Sequence, residues 1–216
     1  MRSIMVLNAK GGSGKSTIST NLASYYASVG NKVLLVDYDP QHSSLDWLKD
    51  RPVGRPGISS VDGSAGTFRT PRNIDYVIYD TPAAVRGKEL AALIRKTQSI
   101  IIPILPSPID MRAATSFIRS VLDNGKVSRK ETRVALVANR CRENTNIYHM
   151  LEEYLKKVRT APFISVLRES QNYNRASERG LGIFELPNYL INRDLEQWDP
   201  IIQWLNSRRS QPVKRK

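Results

Sequence analysis

The sequence predicts an α/β domain, a doubly wound and mostly parallel sheet with helices on both faces. Apolar runs of strand length alternate with helix-period stretches. The strand runs are apolar on both faces, as strands covered by helices on either side must be. A glycine-rich turn follows the first of them and opens the first helix. With 216 residues, 40% hydrophobic and 25% charged, the chain has the composition of one globular domain able to bury a sizeable core.

The elements follow in order. Residues 4–7 (Ile-Met-Val-Leu) form the first apolar run, and the helical pattern after the glycines passes through Ile18, Leu22, Tyr25, Tyr26 and Val29 to a stop at Gly30. A second strand is expected over 33–36 and a short helix over 43–50. Residues 51–73 carry Pro52, Gly54, Pro56, Gly57, Gly63, Gly66 and Pro71, which predicts a loop with one edge strand near 58–61. Further strands are expected at 76–79, 100–105 and 134–138, with helices near 86–96, 110–123 and 145–158. Residues 165–193 read as loop and short helix, and 195–206 as a helix interrupted early by Asp199-Pro200. The boundaries drawn are one domain over 1–206 and a basic, disordered tail over 207–216, which holds Arg208, Arg209, Lys214, Arg215 and Lys216 with no acid.

Composition narrows the function. The single Cys141 cannot form an intrachain disulfide or supply a cysteine-based zinc site. No apolar run is long enough to span a bilayer, and the N-terminus leads straight into a strand, so neither a membrane span nor a cleaved signal is expected, and the cytoplasm is the expected compartment. His42 and His149 have no metal-spaced companions and read as surface or satisfied residues, Cys141 reads as a small buried filler, and Trp47 is open between core and contact surface. The formal net charge of +13 predicts a polyanionic partner. Residues 1–110 carry +4 of it and residues 111–216 carry +9, so the excess lies away from the glycine loop.

That loop is Lys10-Gly11-Gly12-Ser13-Gly14-Lys15-Ser16-Thr17, placed between strand and helix as a phosphate loop requires. Glycines let successive N–H groups face phosphate oxygens, and the helix N-terminus adds partial positive charge. Lys15 is expected to reach the β- and γ-phosphates, and the Ser16 hydroxyl to ligate Mg²⁺. The pattern departs from the general form at Ala9, where a glycine would stand, and adds a second lysine at Lys10.

With these features the chain resembles the ParA/MinD superfamily of ATPases, whose deviant phosphate loop reads K-G-G-x-G-K-[ST]. Val36-Asp37-Tyr38-Asp39-Pro40-Gln41 is similar to the family's V-D-x-D-P-Q segment, the run Tyr76 to Pro82 to its Walker B strand, and Ala138-Asn139-Arg140 to its adenine-side strand end. The resemblance implies a P-loop NTPase fold, ATP and Mg²⁺ as cofactors, and a slow ATP hydrolase stimulated by an adaptor. It implies that Lys10 crosses to the partner of a nucleotide-sandwich homodimer, that Asp37 and Asp80 contact Mg²⁺ through water, that Asp39 orients the attacking water, and that Asn139 bonds the adenine edge. Small ParA-like members bind DNA non-specifically as ATP-loaded dimers, lie over the nucleoid, and partition plasmids or chromosomes or space assemblies such as carboxysomes, with a ParB-like or cargo-bound adaptor. The DNA-binding candidates here are Arg168, Arg175, Arg179, Arg193 and the tail cluster.

Other readings are less consistent with the residues. A MinD-like membrane ATPase would use the stripe Leu195, Trp198, Ile202 and Leu205, but Asp194, Glu196 and Asp199 put acid on the polar face, so membrane binding is not expected. A dethiobiotin-synthetase-like ligase is disfavoured by the D-P-Q segment and the basic C-terminal half. An iron-protein reductase is excluded by the cysteine count, and an arsenite-pump ATPase is disfavoured for want of a second nucleotide domain.

Overall fold

A computed structural model describes residues 1–213. Seven parallel strands form one sheet: β1 (Arg2–Val6), β2 (Val33–Asp37), β3 (Ile58–Asp62), β4 (Tyr76–Asp80), β5 (Ser99–Ile104), β6 (Arg133–Cys141) and β7 (Phe163–Arg168), in the order β3-β2-β4-β1-β5-β6-β7. Every pairing is parallel, because each crossover carries a helix or a long loop rather than a tight turn. The strand order reverses around β1, whose neighbours are β4 and β5. That reversal opens a crevice at the carboxyl ends of the strands, where ligands of such sheets bind.

The helices are α1 (Lys15–Ser28), α2 (Ser43–Lys49), α3 (Gly87–Ile94), α4 (Pro108–Leu122), α5 (Gly125–Ser128), α6 (Asn146–Lys157), α7 (Gln171–Ser177) and α8 (Asn188–Asn206). They divide between the two sheet faces. Ile18, Leu22, Tyr26 and Trp47 of α1 and α2 share one core with Ile191, Trp198, Ile201 and Leu205 of α8. Leu90, Leu93 and Ile94 of α3 share the other with Phe117, Ile118 and Val121 of α4 and Leu151 and Leu155 of α6.

The last third departs most from the sequence reading. Phe163–Arg168 is a strand at the sheet edge, and α8 starts seven residues earlier than expected and runs unbroken through Pro200. A proline in a helix interior costs roughly 3 kcal/mol. Burial of Trp198, Ile201, Ile202, Trp204 and Leu205 against the sheet outweighs that cost. Three of the four residues of the proposed membrane stripe are therefore core, and the fourth, Leu195, packs against it. Residues 207–213 also differ from the expected tail. Ser210 is fully buried and its Oγ accepts from Arg2 at 2.8 Å, while the Val213 N–H donates to the Lys130 carbonyl. Lys214, Arg215 and Lys216 lie outside the described residues. No helix among the described residues is long and apolar enough to cross a membrane.

Candidate nucleotide site

Three strand ends build the site. The register sets Val6 and Asp37 each beside Asp80, so β1, β2 and β4 end level with one another and deliver the glycine loop and both aspartates to one edge. A cavity of about 940 Å³ opens there, at the upper end of the range for small-molecule sites.

The loop is pinned from behind. The Asn8 amide donates to the Pro103 carbonyl and its Oδ1 accepts from the Lys10 N–H at 3.0 Å. Ser13 is buried, its Oγ donating to the Lys10 carbonyl at 3.2 Å. Gly14 caps α1 at φ 88°, and a Cβ built there would lie 2.2 Å from the Asn139 amide nitrogen. Left-handed backbone and close approach together explain why glycine stands at this position. Gly14→Ala is accordingly expected to weaken nucleotide binding about tenfold to hundredfold, since strain of this kind costs about 1–3 kcal/mol. Titration with a fluorescent ATP analogue, beside an unchanged circular dichroism spectrum, reads this; wild-type affinity would contradict the geometry.

Lys15 is buried, and its ammonium spans the loop to the Lys10 carbonyl at 3.2 Å. Burial pulls its pKa down, while the charges of Asp80 and Asp39 oppose that shift. Gly11, Gly12, Gly14, Ser16 and Thr17 line the cavity with it. The α1 N-terminus aims unpaired N–H groups at the same space.

The aspartates divide in a way the sequence did not show. Asp39 lines the cavity, its N–H donating to Asp37 Oδ1 at 2.8 Å and its own Oδ1 accepting from the Gln41 N–H at 3.0 Å. Asp37 is fully buried but faces its own loop. Its Oδ2 accepts from the Ser44 hydroxyl at 2.7 Å and from the Ser44 and Leu45 N–H groups. It anchors α2 and the Asp39 segment, and both its oxygens already have protein partners, so it offers no open oxygen of the kind Asp80 has. Asp80 is different. Oδ1 accepts from the Ser19 hydroxyl and the Thr81 N–H, and Oδ2 is buried with no partner. Burial raises its pKa to about 7; the Ser16 hydroxyl opposes the shift and the Asp37 charge adds to it. A buried, unpartnered carboxylate oxygen beside a hydroxyl is the donor chemistry Mg²⁺ needs, so Ser16 and Asp80 fit the ion.

Asn139 is only partly placed as expected. It lines the cavity, but its amide donates to the Ser13 carbonyl at 2.8 Å and is thus tied to the loop. Cys141 is buried filler whose thiol burial pushes up to about 12. One wall of the cavity comes from residues that the sequence does not single out: Glu169, Gln171, Tyr173 and Asn174 in the β7–α7 segment. Recognising β7 would have found them, since the residues after a parallel strand face the ligand edge. Asp110 is a further residue of this kind. It receives the Lys10 ammonium at 2.6 Å from the first turn of α4, so within one chain Lys10 is held in cis rather than extended toward a partner.

Two of the arginine candidates are already ion-paired. Arg168 makes a two-pronged contact to Asp194 at 2.7 and 3.0 Å, with Asp194 fully buried, and Arg193 pairs with Glu143. Arg175 and Arg179 are exposed. Trp47 is core, its indole N–H donating to the Leu181 carbonyl at 3.1 Å. His149 is exposed, but His42 is not satisfied: Nε2 lies 3.7 Å from Asp62 while Nδ1 is buried without a partner. No group of metal-binding side chains occurs among the described residues.

The model of the CobQ/CobB/MinD/ParA nucleotide binding domain matches residues 4–183. The chain belongs to this family. It is 28% identical over 189 residues to the maintenance of carboxysome distribution protein A of Halothiobacillus neapolitanus, covering 85% of this chain and 87% of the relative. Its fold matches a plasmid partition protein of Borrelia burgdorferi B31 bound to AMPPNP, with a TM-score of 0.70, 19% identity, and 94% and 98% of the two chains covered. It also matches pNOB8 ParA bound to nonspecific DNA, with a TM-score of 0.54, 19% identity, and 75% and 78% covered. The Lys10–Thr17 loop and the residues that line the cavity above it all fall within the matched range.

Proposed function

We propose that this chain is a ParA-like ATPase that binds Mg²⁺·ATP, pairs with a second copy when loaded, and then holds DNA without sequence preference. Slow hydrolysis, accelerated by an adaptor protein, releases it, and the cycle partitions or spaces a cargo over the nucleoid. The observation that carries the reading is that Lys15, Ser16 and Asp39 line one cavity, with the unpartnered oxygen of Asp80 buried behind Ser16 and Lys15.

Each group has a role that its surroundings support. Lys15, already half stripped of water, neutralises charge on the β- and γ-phosphates as it develops. Asp39, on a segment stiffened by Pro40 and anchored through Asp37, accepts a hydrogen bond from a water and orients it in line with the γ-phosphorus. Mg²⁺, when bound, would supply neutralisation of the phosphate charge. Ser16 and Asp80 would hold it. Lys10 would exchange the Asp110 carboxylate for phosphate of the facing copy, where a second ammonium beside Lys15 is stabilised by the shared anion. The broad match to a protein named for carboxysome distribution makes a protein assembly a candidate cargo beside a DNA segment.

Lysine substitutions separate the two steps. Lys15→Ala is expected to lose ATP binding. Lys10→Ala should keep ATP affinity within about twofold yet remain monomeric by light scattering with a non-hydrolysable triphosphate. Equal loss of affinity in both would contradict the trans role of Lys10, and a wild-type chain that stayed monomeric would remove the dimer from the cycle.

A further inference from the structure

We propose that DNA is gripped by the outward ridges of α3 and α4, through Lys88, Arg95, Arg112 and Arg119, rather than by the C-terminal arginines. The proposal rests on the reading that the loaded protein binds DNA, and it names where.

The periodicity of each helix fixes the geometry. Leu90, Leu93 and Ile94 turn α3 toward the sheet, which leaves Lys88 and the C-cap Arg95 on the opposite side, seven residues apart. Ala114, Phe117, Ile118 and Val121 do the same for α4, leaving Arg112 and Arg119 outermost, again seven apart. Seven residues is nearly two helical turns, or about 10.5 Å. Both helices cover one sheet face and share one core. They run the same way, since each returns from the carboxyl edge between successive parallel strands. Two parallel ridges on one sheet face thus carry two cations each, spaced alike along their helices. Along one DNA strand, 10.5 Å corresponds to about three base-pair steps.

The distribution of charge favours this face. All four side chains are exposed, and none is ion-paired among the described residues. Lys126 of α5 donates to the Arg95 carbonyl at the end of α3. The exposed acids on these two helices and their caps are Glu89 and Asp123. On the C-terminal side, Glu169 takes up Arg140 and Arg142, Glu143 takes up Arg193, and buried Asp194 takes up Arg168, which leaves Arg175 and Arg179 as the two exposed candidates outside any ion pair among the described residues. A cation already engaged by a carboxylate has less to gain from a phosphate, because it must first give up that partner. This face begins at the α4 N-terminus, where Asp110 holds Lys10, so it is continuous with the nucleotide edge.

The test compares Lys88→Gln/Arg95→Gln/Arg112→Gln/Arg119→Gln with Arg175→Gln/Arg179→Gln in the full chain. Each is loaded with a non-hydrolysable ATP analogue and titrated with a random-sequence duplex across a salt series. The quadruple variant should bind at least about tenfold more weakly, and the slope of log affinity against log salt should flatten by about 0.9 for each phosphate that is no longer neutralised. The C-terminal pair should stay within twofold. ATP affinity and light-scattering mass, expected to match wild type, show that folding and pairing survive. If the quadruple variant fails those controls, the two double variants, one per helix, are read in the same way. A wild-type slope in the quadruple variant, with weakened binding in the C-terminal pair, would overturn the siting. Wild-type binding to anionic phosphatidylglycerol vesicles but not to the duplex would overturn the DNA reading itself, and the siting with it.

Discussion

Replacing Asp80 by asparagine is expected to raise the thermal midpoint of the nucleotide-free chain at pH 8 while removing Mg²⁺-dependent turnover. Asp80 is fully buried and its Oδ2 has no partner, so the ionised form is held at a cost. Its pKa is raised from 3.8 to about 7, first by burial. A carboxyl whose folded pKa lies above its unfolded value contributes stability that is complete below about pH 4 and lost as pH rises through 7. Asparagine keeps the shape and stays neutral, so it escapes that loss. The gain is on the order of a few kcal/mol at pH 8, or a midpoint shift of roughly 5–10 °C for a domain of this size. Calorimetry of wild type and variant at pH 4 and pH 8 checks it: the midpoints should converge in acid and separate in base. A variant less stable than wild type at pH 8 would show that the open oxygen is satisfied in solution. The same charge that destabilises the empty site is what a divalent cation needs, so stability and activity oppose each other at one atom.

The second large effect lies away from the chemistry. Asp194→Ala removes both acceptors of the Arg168 guanidinium and the acceptor of the Asn172 amide at 2.8 Å, leaving a half-buried cation without its partner. Removing one member of a buried pair costs about 3–5 kcal/mol, which for this chain is a fall of roughly 10 °C in midpoint. Glu143→Ala, which frees the exposed Arg193, should cost less than about 1 kcal/mol. Urea unfolding of the two variants side by side makes the comparison, and equal costs would mean that α8 is not docked through Asp194. Nucleotide affinity should fall in Asp194→Ala as well. Arg168, Asn172 and Asp194 hold the β7–α7 segment, and that segment lines the cavity.

Much of the fold was legible because the signals are local. The strands ending at Asp37 and Asp80 announce themselves as short apolar runs. The Lys10–Thr17 loop is readable because phosphate binding demands a fixed order of glycines and lysine within one turn. β7 was not legible: Phe163–Arg168 is an edge strand whose exposure alternates only weakly, and it lacks the unbroken apolar run of a central strand. Pro200 misled for a related reason, since a local rule predicts a break and only the burial of Trp198 and Ile201 on the far side keeps the helix whole.

The family membership, the phosphate loop and the alternation of strand and helix were determined by the sequence alone, because each depends on residues close together in the chain. The tertiary structure decided which charges are free. Asp37 and Asp80 end neighbouring strands alike, yet Ser44 and Leu45 satisfy one and leave the other open. Arg168 and Arg112 are both arginines in a basic half, yet buried Asp194 engages only the first. A side chain's charge is written in the sequence, but what that charge can still bind depends on its neighbours in space.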